Sequence, residues 1–277
     1  MFFFIGSSRT GSTWLGQALA KHPNIKLPVK KPVRFWNLKV FGLRDEKSSH
    51  PTLSLEAYKD LFRDEPGILK GDITDGYNTL GLQEVLAIRK HHPDAKILQM
   101  MRRPSHIVYS HFSLSRSLSE ITVEDVRKQV GHPGGYQYHN IRQMHVRDIW
   151  STVFGPENFH LTFYEDFFAD PGAGYRDICK FLEVEAFELD PSFLTKRVNK
   201  RKHDEDPKDE VRAEIAHFCD PLDREFEDFH RTFTAEKQPA ADAASGAIRS
   251  DSHDAAWAGV LYQGFLRHGR SRPFMKL

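Results

Sequence analysis

The first residues of the chain constrain its fold more than any other segment. Phe2 to Ile5 form a short, continuous apolar run, and Gly6 to Gly11 form a loop of small residues. Apolar residues at helical spacing then follow from Ser12 to Lys21. A strand that passes through a glycine-rich loop into a helix is the typical opening of a parallel α/β sheet, because each strand of such a sheet is followed by a helix that covers it.

The same alternation continues along the chain. Short apolar runs predict further strands, and segments with apolar residues at helical spacing predict the helices between them. Pro104 stands where the first turn of a helix tolerates proline. We therefore predict an α/β three-layer sandwich, with a central parallel sheet flanked by helices. The predicted strands are 2–5, 68–71, 96–101 and 159–164, and the predicted helices are 12–21, 82–90, 123–130, 138–153, 174–182 and 208–229, with one more beginning at 104.

One domain accounts for most of the length. A chain of 277 residues can bury a large core without a second domain, and we assign residues 1–233 to it. Residues 234–256 are rich in Ala, Ser, Asp and Gly, which predicts a flexible linker. Residues 257–277 place Trp257 and Leu261 at helical spacing, which predicts a C-terminal helical segment that docks on the body or on a partner.

Composition excludes several classes of protein. The net charge is +1, so no overall basic field predicts a nucleic-acid partner, and any anion site must be local. Cys179 and Cys219 cannot form a disulfide framework, and neither CxxC nor HExxH occurs. The N-terminus lacks the pattern of a signal peptide, and no apolar run reaches the length of a membrane span. We expect a cytoplasmic protein without stable membrane insertion.

The glycine loop predicts a phosphate site. A loop that leads from a strand into a helix points its backbone N–H groups at an anion, and Ser12 and Thr13 add hydroxyls, although a plain tight turn has the same short pattern. Nucleotide triphosphatases carry Lys after the second Gly and a downstream Asp for Mg²⁺. Here Ser12 follows Gly11, Arg9 lies inside the loop, and the strand ending at Met101 continues into Arg102. This pattern favours a P-loop-like nucleotide-binding fold that holds phosphate without a metal.

Two motifs together resemble those of the sulfotransferase superfamily that uses 3′-phosphoadenosine 5′-phosphosulfate (PAPS), in its bacterial, carbohydrate-sulfotransferase-like branch. Residues 6–15 are similar to the family's 5′-phosphosulfate loop, with Arg9 where Lys is usual. Arg102-Arg103-Pro104, with Ser110 eight residues after Arg102, is similar to the family's 3′-phosphate motif. The resemblance implies PAPS as co-substrate, 3′,5′-adenosine bisphosphate (PAP) as product and no required metal. It implies that the donor is bound by Ser8, Arg9, Thr10, Gly11, Ser12, Thr13, Arg102, Ser110, Lys200 and Arg201.

Two other segments carry clusters of charged residues. The basic run from Lys196 to Lys202, which includes Lys200 and Arg201, is either a solvated loop or, as the resemblance implies, a segment near the 3′-phosphate. Tyr164-Glu165-Asp166 is expected to buttress the N-terminus of a helix, where carboxylates are favourable.

The reaction needs a cation near the leaving group and a general base near the acceptor, and the sequence suggests a single residue only for the first. By analogy with phosphoryl transfer, Arg9 would neutralise the charge that develops on the leaving 5′-phosphate. The acceptor must lose a proton, which requires a base. Family members that act on carbohydrates carry a Glu base where this chain has Pro32, so that role cannot be transferred. Lys31 is either a donor to the reacting groups or an exposed loop lysine.

Two aspartates and two histidines are candidates for the missing base. Asp72 is our first candidate because it lies near the carboxyl end of a predicted parallel strand, where α/β sheets bind ligands. Asp75 is the second, and either aspartate could instead be a turn former. His106 and His111 flank the 3′-phosphate motif, at positions that match no histidine base of the family.

The sequence therefore predicts transfer of a sulfuryl group to a hydroxyl or amine of a saccharide or other small molecule. Two alternatives remain: a P-loop kinase or nucleotide hydrolase, and a family member that binds nucleotide without catalysis. The acceptor is not specified by these residues, and a homo-oligomer is possible.

Overall fold

Five parallel strands form the centre of the fold. They are β1 (Phe2–Phe4), β2 (Ile25–Lys26), β3 (Leu69–Ile73), β4 (Lys96–Met101) and β5 (Phe159–Phe163), in the spatial order β2-β3-β1-β4-β5. The computed structural model describes residues 1–28, 32–37, 54–195 and 205–237. β1 lies at the middle of the sheet, where its residues pair with β3 on one side and with β4 on the other.

Helices cover both faces of this sheet. Shorter 3₁₀ turns at Asp75–Thr79, Leu118–Glu120 and Pro156–Asn158 connect some of them. The α-helices of the described residues are α1 (Ser12–Leu19), α2 (Leu55–Leu61), α3 (Leu82–His91), α4 (Pro104–Ser115), α5 (Val123–Val126), α6 (Tyr136–Asn140), α7 (Gln143–Phe154), α8 (Tyr164–Ala169), α9 (Pro171–Phe181), α10 (Pro191–Leu194) and α11 (Asp209–Lys237).

Alternation of side chains along β1 divides the core into two layers. Phe3 points into a cluster formed with α2, α3, α7 and α11, where it packs on Tyr77 and Trp150. Phe2 and Phe4 point into the opposite cluster, formed with α1, α8, α9 and α10. All three phenylalanines are completely buried. The predicted three-layer α/β fold with a parallel sheet is confirmed.

Local signals placed most elements correctly. The predicted strands agree with β1, β3, β4 and β5 within two residues at either end, and Pro104 occupies the first turn of α4 as expected. The short strand β2 and the helices α2 and α10 were not predicted. The helix expected from Val123 to Val130 is α-helical only to Val126 and continues as a π-helical turn.

One helix prediction was wrong. Residues 138–153 were expected to form a single helix, but α6 ends at Asn140 and α7 begins at Gln143. The side chain of Asn140 bonds to the glycine loop, and that of Gln143 bonds to the backbone of Arg102. These long-range hydrogen bonds require the chain to turn between the two residues, and so they override the helical spacing.

The domain boundary moves slightly. α11 runs to Lys237, so residues 234–237 of the expected linker are helical. The remainder of that linker and the expected C-terminal helical segment lie outside the described residues. Within the described part of the chain, no helix combines the length and the apolar character that crossing a bilayer requires.

Replacing Gly71 by Ala tests the packing at the centre of the sheet. A Cβ at Gly71 would lie 2.1 Å from the ring of Phe2, which is fully buried and cannot move aside cheaply. We expect Gly71→Ala to lower the free energy of unfolding by about 1–3 kcal/mol in urea denaturation. Gly172→Ala, whose Cβ would have no neighbour closer than 3.4 Å, is the control. Equal stability of the two variants would contradict this packing.

A second prediction concerns pH. His92 lies against the rings of Phe3 and Tyr58, and burial lowers its pKa from 6.5 to about 4. The folded protein therefore binds a proton at His92 more weakly than the unfolded chain does. The free energy of unfolding has its full value above pH 6.5 and decreases as the pH falls toward 4, because protons then bind preferentially to the unfolded chain. In urea denaturation over this pH range, the wild type should lose stability more steeply than His92→Gln. Parallel curves would show that His92 titrates normally.

Candidate active site

The glycine loop lies at the carboxyl end of β1 and leads directly into α1. Gly11 caps α1 in a left-handed conformation with φ 89°, and a Cβ there would come within 2.9 Å of Phe168. Arg9 also has a left-handed backbone, with φ 70°, which costs an ordinary residue about 1–2 kcal/mol. Strain of this kind persists only where surrounding contacts maintain it, and it is common in ligand sites.

The contacts that maintain Arg9 come from the second predicted phosphate motif. Nη1 of Arg102 donates a hydrogen bond of 2.9 Å to the backbone carbonyl oxygen of Arg9. Nε of Arg9 donates to Oγ of Ser110 at 3.1 Å. Two motifs separated by about a hundred residues therefore meet in one place, as the sequence predicted.

This meeting concentrates positive charge. Burial, and next the nearby guanidinium of Arg102, lower the pKa of Arg9. Two half-buried cations that destabilise each other gain free energy when an anion binds between them. The first turn of α1, with Ser12 and Thr13 partly exposed, adds the N-terminal end of a helix beside them. The site thus has the chemistry of a polyanion site.

Arg102 is oriented from several sides. Its guanidinium lies 4.1 Å above the ring of Tyr164, and its Nε lies 3.9 Å from a carboxylate oxygen of Glu165. Gln143 accepts from the backbone N–H of Arg102 and donates to its carbonyl oxygen. Glu165 also lies 3.3 Å from Nδ1 of His106. Tyr164 and Glu165 begin α8, as expected, but they also position the cation of the site.

Arg103 has a different role although it is the next residue. Its side chain forms ion pairs with Asp223 at 3.0 Å and with Glu227 at 2.9 Å, both on α11. Asp223 also accepts from the backbone N–H of Ser105, in the first turn of α4. Arg103 therefore joins α11 to α4 rather than serving the loop.

A buried polar network that the sequence did not reveal holds the other side of the loop. Asn78 donates to Oγ of Ser7 at 3.3 Å and to Oδ1 of Asn140 at 2.8 Å. Asn140 in turn donates to Oγ of Ser8 at 3.0 Å, and Ser7 donates to the carbonyl oxygen of Asn140 at 2.7 Å. Isolated asparagines carry no motif, so no pattern in the sequence marked them.

The remaining predicted donor residues divide into two groups. The hydroxyl of Thr10 is fully buried and donates to the carbonyl oxygen of Ser7 at 2.6 Å, so it maintains the loop from within. Ser8, Gly11, Ser12 and Thr13 lie in the loop and the first turn of α1 as predicted. Lys31, Lys200 and Arg201 lie outside the described residues.

Asp72 does not have the position that a base needs. It is completely buried in β3 and accepts hydrogen bonds from the hydroxyls of Thr74 at 2.7 Å, Tyr77 at 2.7 Å and Tyr58 at 2.9 Å. Burial raises its pKa, and the three hydroxyls only partly oppose that change. The burial and the three partners favour a structural role over the expected role of base: Asp72 anchors the turn that carries Asp75 and Asn78.

Asp75 lies at the surface side of the same turn. Its carboxylate is 3.9 Å from a guanidinium nitrogen of Arg34, and its side chain is about a quarter exposed. His111, on α4, lies beside Arg9 and Tyr136, and burial and then Arg9 lower its pKa. His106 contacts Glu165 instead, on the Arg102 side of the site.

Comparison with known proteins identifies the family. Residues 54–188 match the family model described as "Sulfotransferase family", a range that includes Arg102 and Ser110 and leaves out the glycine loop. Residues 54–188, just under half of the chain, thus belong to the sulfotransferase family. No curated protein matches it in sequence. The recognition made from the two phosphate motifs is confirmed at the level of the family and its enzyme class.

One of the similar solved structures shows the same fold. The crystal structure of a sulfotransferase from Alicyclobacillus acidocaldarius aligns with a TM-score of 0.62 at 24% identity, over 86% of this chain and 98% of that one. The sulfotransferase domain of the Synechococcus PCC 7002 olefin synthase aligns with a TM-score of 0.48 at 18% identity, over 99% and 95%. A mouse sulfotransferase complexed with PAP gives 0.45 at 15%, over 96% and 81%.

Substitution of Asp72 separates an anchor from a base. Asp72→Asn leaves three buried hydroxyls with a weaker acceptor, so we expect the free energy of unfolding to fall by about 1–3 kcal/mol. Sulfuryl transfer per folded molecule should change by less than about tenfold. The exposed Asp60→Asn is the control for stability. A hundredfold loss of transfer at unchanged stability would instead establish Asp72 as the base.

Proposed function

We propose that this protein transfers the sulfuryl group of PAPS to a hydroxyl or amine of a saccharide or other small molecule. The observation that carries the proposal is the convergence of Arg9, Arg102 and Ser110, which joins the glycine loop to the strand end of β4. A nucleotide with phosphates at both its 3′ and 5′ positions has negative charge at two ends. The paired motifs supply positive charge and donors for both.

Different residues would bind the two ends of the donor. The loop N–H groups, with Ser12 and Thr13 at the start of α1, would hold the 5′-phosphate, because a helix N-terminus favours a negative charge. Arg102 and Ser110 would hold the 3′-phosphate. Lys200 and Arg201 are proposed to close over the nucleotide from the basic run. The mutual repulsion of Arg9 and Arg102 supports this division, since bound phosphates would relieve it.

For this reaction the protein has to orient the donor and the acceptor and to stabilise the charge on the leaving group. The bond between sulfur and the bridging oxygen breaks while a bond from the acceptor to sulfur forms, and PAP leaves with the electron pair. In this proposal Arg9 neutralises the charge that develops on that oxygen, and its left-handed backbone belongs to the same loop. Lys31 is proposed to donate to the leaving group or the acceptor.

A kinase or nucleotide hydrolase is less consistent with the same residues. Such an enzyme needs a lysine after the second glycine and a carboxylate for Mg²⁺ near the end of the neighbouring strand. This chain has Ser12 at the first position and Arg102 after β4. The cation at the strand end favours a donor that is held by arginine rather than through a metal.

Thermal unfolding with PAP tests the donor site and uses two neighbouring arginines as a matched pair. At about a hundred times its dissociation constant, PAP should stabilise the wild type by about 2.7 kcal/mol, which raises Tm by roughly 5–10 °C. Arg102→Ala should weaken binding roughly 10- to 100-fold, because a charge-assisted contact contributes about 1.5–3 kcal/mol. Arg103→Ala should retain the shift, because Arg103 pairs with α11.

Two outcomes would contradict this assignment. Stabilisation by ATP with Mg²⁺ and none by PAP would favour the kinase or hydrolase alternative. A PAP shift that is lost equally in Arg102→Ala and Arg103→Ala would show that the two arginines do not have separate roles.

A further inference from the structure

Two segments distant in sequence form one wall beside the donor loop. The side chain of Asn37, from the segment 32–37, donates to the carbonyl oxygen of Gly76 and, at 3.1 Å, to Oγ1 of Thr79. Gly76 and Thr79 belong to the 3₁₀ turn Asp75–Thr79, which also carries Asn78 to the loop. The turn therefore lies directly beside the segment 32–37.

The segment 32–37 supplies a cation to this space and no carboxylate. It reads Pro-Val-Arg-Phe-Trp-Asn, and its charged residue, Arg34, has a left-handed backbone with φ 54°. That conformation is unfavourable for arginine and needs contacts that maintain it. Arg34 lies 3.9 Å from the carboxylate of Asp75, with each side chain about a quarter exposed. The carboxylate thus has a cation beside it and remains accessible to solvent.

Only two carboxylates stand on β3 and the turn after it, Asp72 and Asp75. Asp72 is completely buried and accepts three hydroxyl hydrogen bonds, so an acceptor molecule cannot reach it. Asp75 is the accessible one. Its electrostatic influence reaches Arg9, whose pKa it acts to raise, against burial and Arg102. Asn78, on the same turn as Asp75, donates to Oγ of Ser7, so a hydrogen bond joins the turn to the loop that carries Arg9.

Aromatic and imidazole groups flank the same space. Tyr136, at the start of α6, is about 39% exposed and lies within electrostatic range of both Asp75 and Arg34. The ring of His111 lies 5.9 Å from the ring of Tyr136, and His111 is also near Arg9. The wall thus offers the accessible carboxylate of Asp75, the exposed ring of Tyr136 and the cation Arg34. These groups suit an acceptor that presents a hydroxyl or amine on a ring.

We propose that Asp75 is the catalytic base of the reaction and that Arg34 is its positioning residue. The carboxylate takes the proton of the acceptor hydroxyl or amine as the acceptor's lone pair forms the new bond to sulfur. The bond from sulfur to the bridging oxygen breaks at the same time, and its electron pair goes to the phosphate beside Arg9. The inference rests on the proposed function, because it requires the donor at the glycine loop.

Four variants test the assignment with ³⁵S-labelled PAPS. The acceptors are 4-nitrophenol, methyl α-glucoside and hexylamine, with water as the background acceptor. We expect Asp75→Asn to lower the rate of label transfer by roughly 10²- to 10⁴-fold, as loss of a general base does. Asp75→Glu should recover part of the rate. Asp60→Asn, an exposed substitution on α2, should behave as the wild type, and His111→Asn tests the competing base.

A second readout separates loss of the base from loss of the donor site. PAP should raise Tm of Asp75→Asn by at least as much as it raises Tm of the wild type, because removing a negative charge near Arg9 does not weaken the binding of phosphate. For Arg34→Ala we expect a smaller loss of turnover than for Asp75→Asn, and Arg34→Lys should restore part of it because the positive charge returns.

Each remaining outcome would overturn the assignment. Transfer by Asp75→Asn within threefold of the wild type, or a large loss confined to His111→Asn, removes Asp75 as the base and leaves the proposed function in place. A wild type that binds PAP and transfers no label, even to water, fails the proposed function itself, and the base assignment falls with it.

Discussion

The burial of β1 on both faces is the constraint on which the site depends. Phe3 packs into one layer while Phe2 and Phe4 pack into the other, so the strand cannot shift or rotate without exposing large aromatic side chains. The glycine loop begins where this strand ends, so the buried strand fixes the position of the loop. Arg102 and Ser110 contact its left-handed residue Arg9, while Asn78 and Asn140 bond to Ser7 and Ser8 in the same loop.

Charge is distributed unevenly around this fixed loop. Arg102 is directed toward it by Tyr164, Glu165 and Gln143, while Arg103, one residue later, is drawn away by two carboxylates on α11. The nearly neutral chain thus has a locally cationic site, as a small net charge requires of any anion-binding protein. Position rather than composition makes the site basic, and the same principle separates the buried Asp72 from the accessible Asp75.

Much of the proposed donor site was predictable because phosphate binding uses local geometry. A strand, a glycine loop and the first turn of a helix are contiguous in sequence. Arg102 lies just before α4 and Ser110 lies within it, so a short sequence spacing brings both residues to the same site. The acceptor side has no such local signature. Asn78 and Asn140 were missed, and Asp72 was preferred over Asp75, because burial and hydroxyl partners depend on segments far apart in sequence, such as α2 with Tyr58.

The sequence by itself determined the α/β class, most strands and helices, the glycine loop between β1 and α1, and the resemblance to sulfotransferases, because each follows from short-range periodicity or from contiguous motifs. Only the tertiary structure decided which of two neighbouring arginines faces the loop, where the helix predicted over 138–153 breaks, and which aspartate solvent can reach. Those outcomes depend on long-range packing and hydrogen bonds, which form only when the sheet brings distant segments together at the carboxyl ends of its strands.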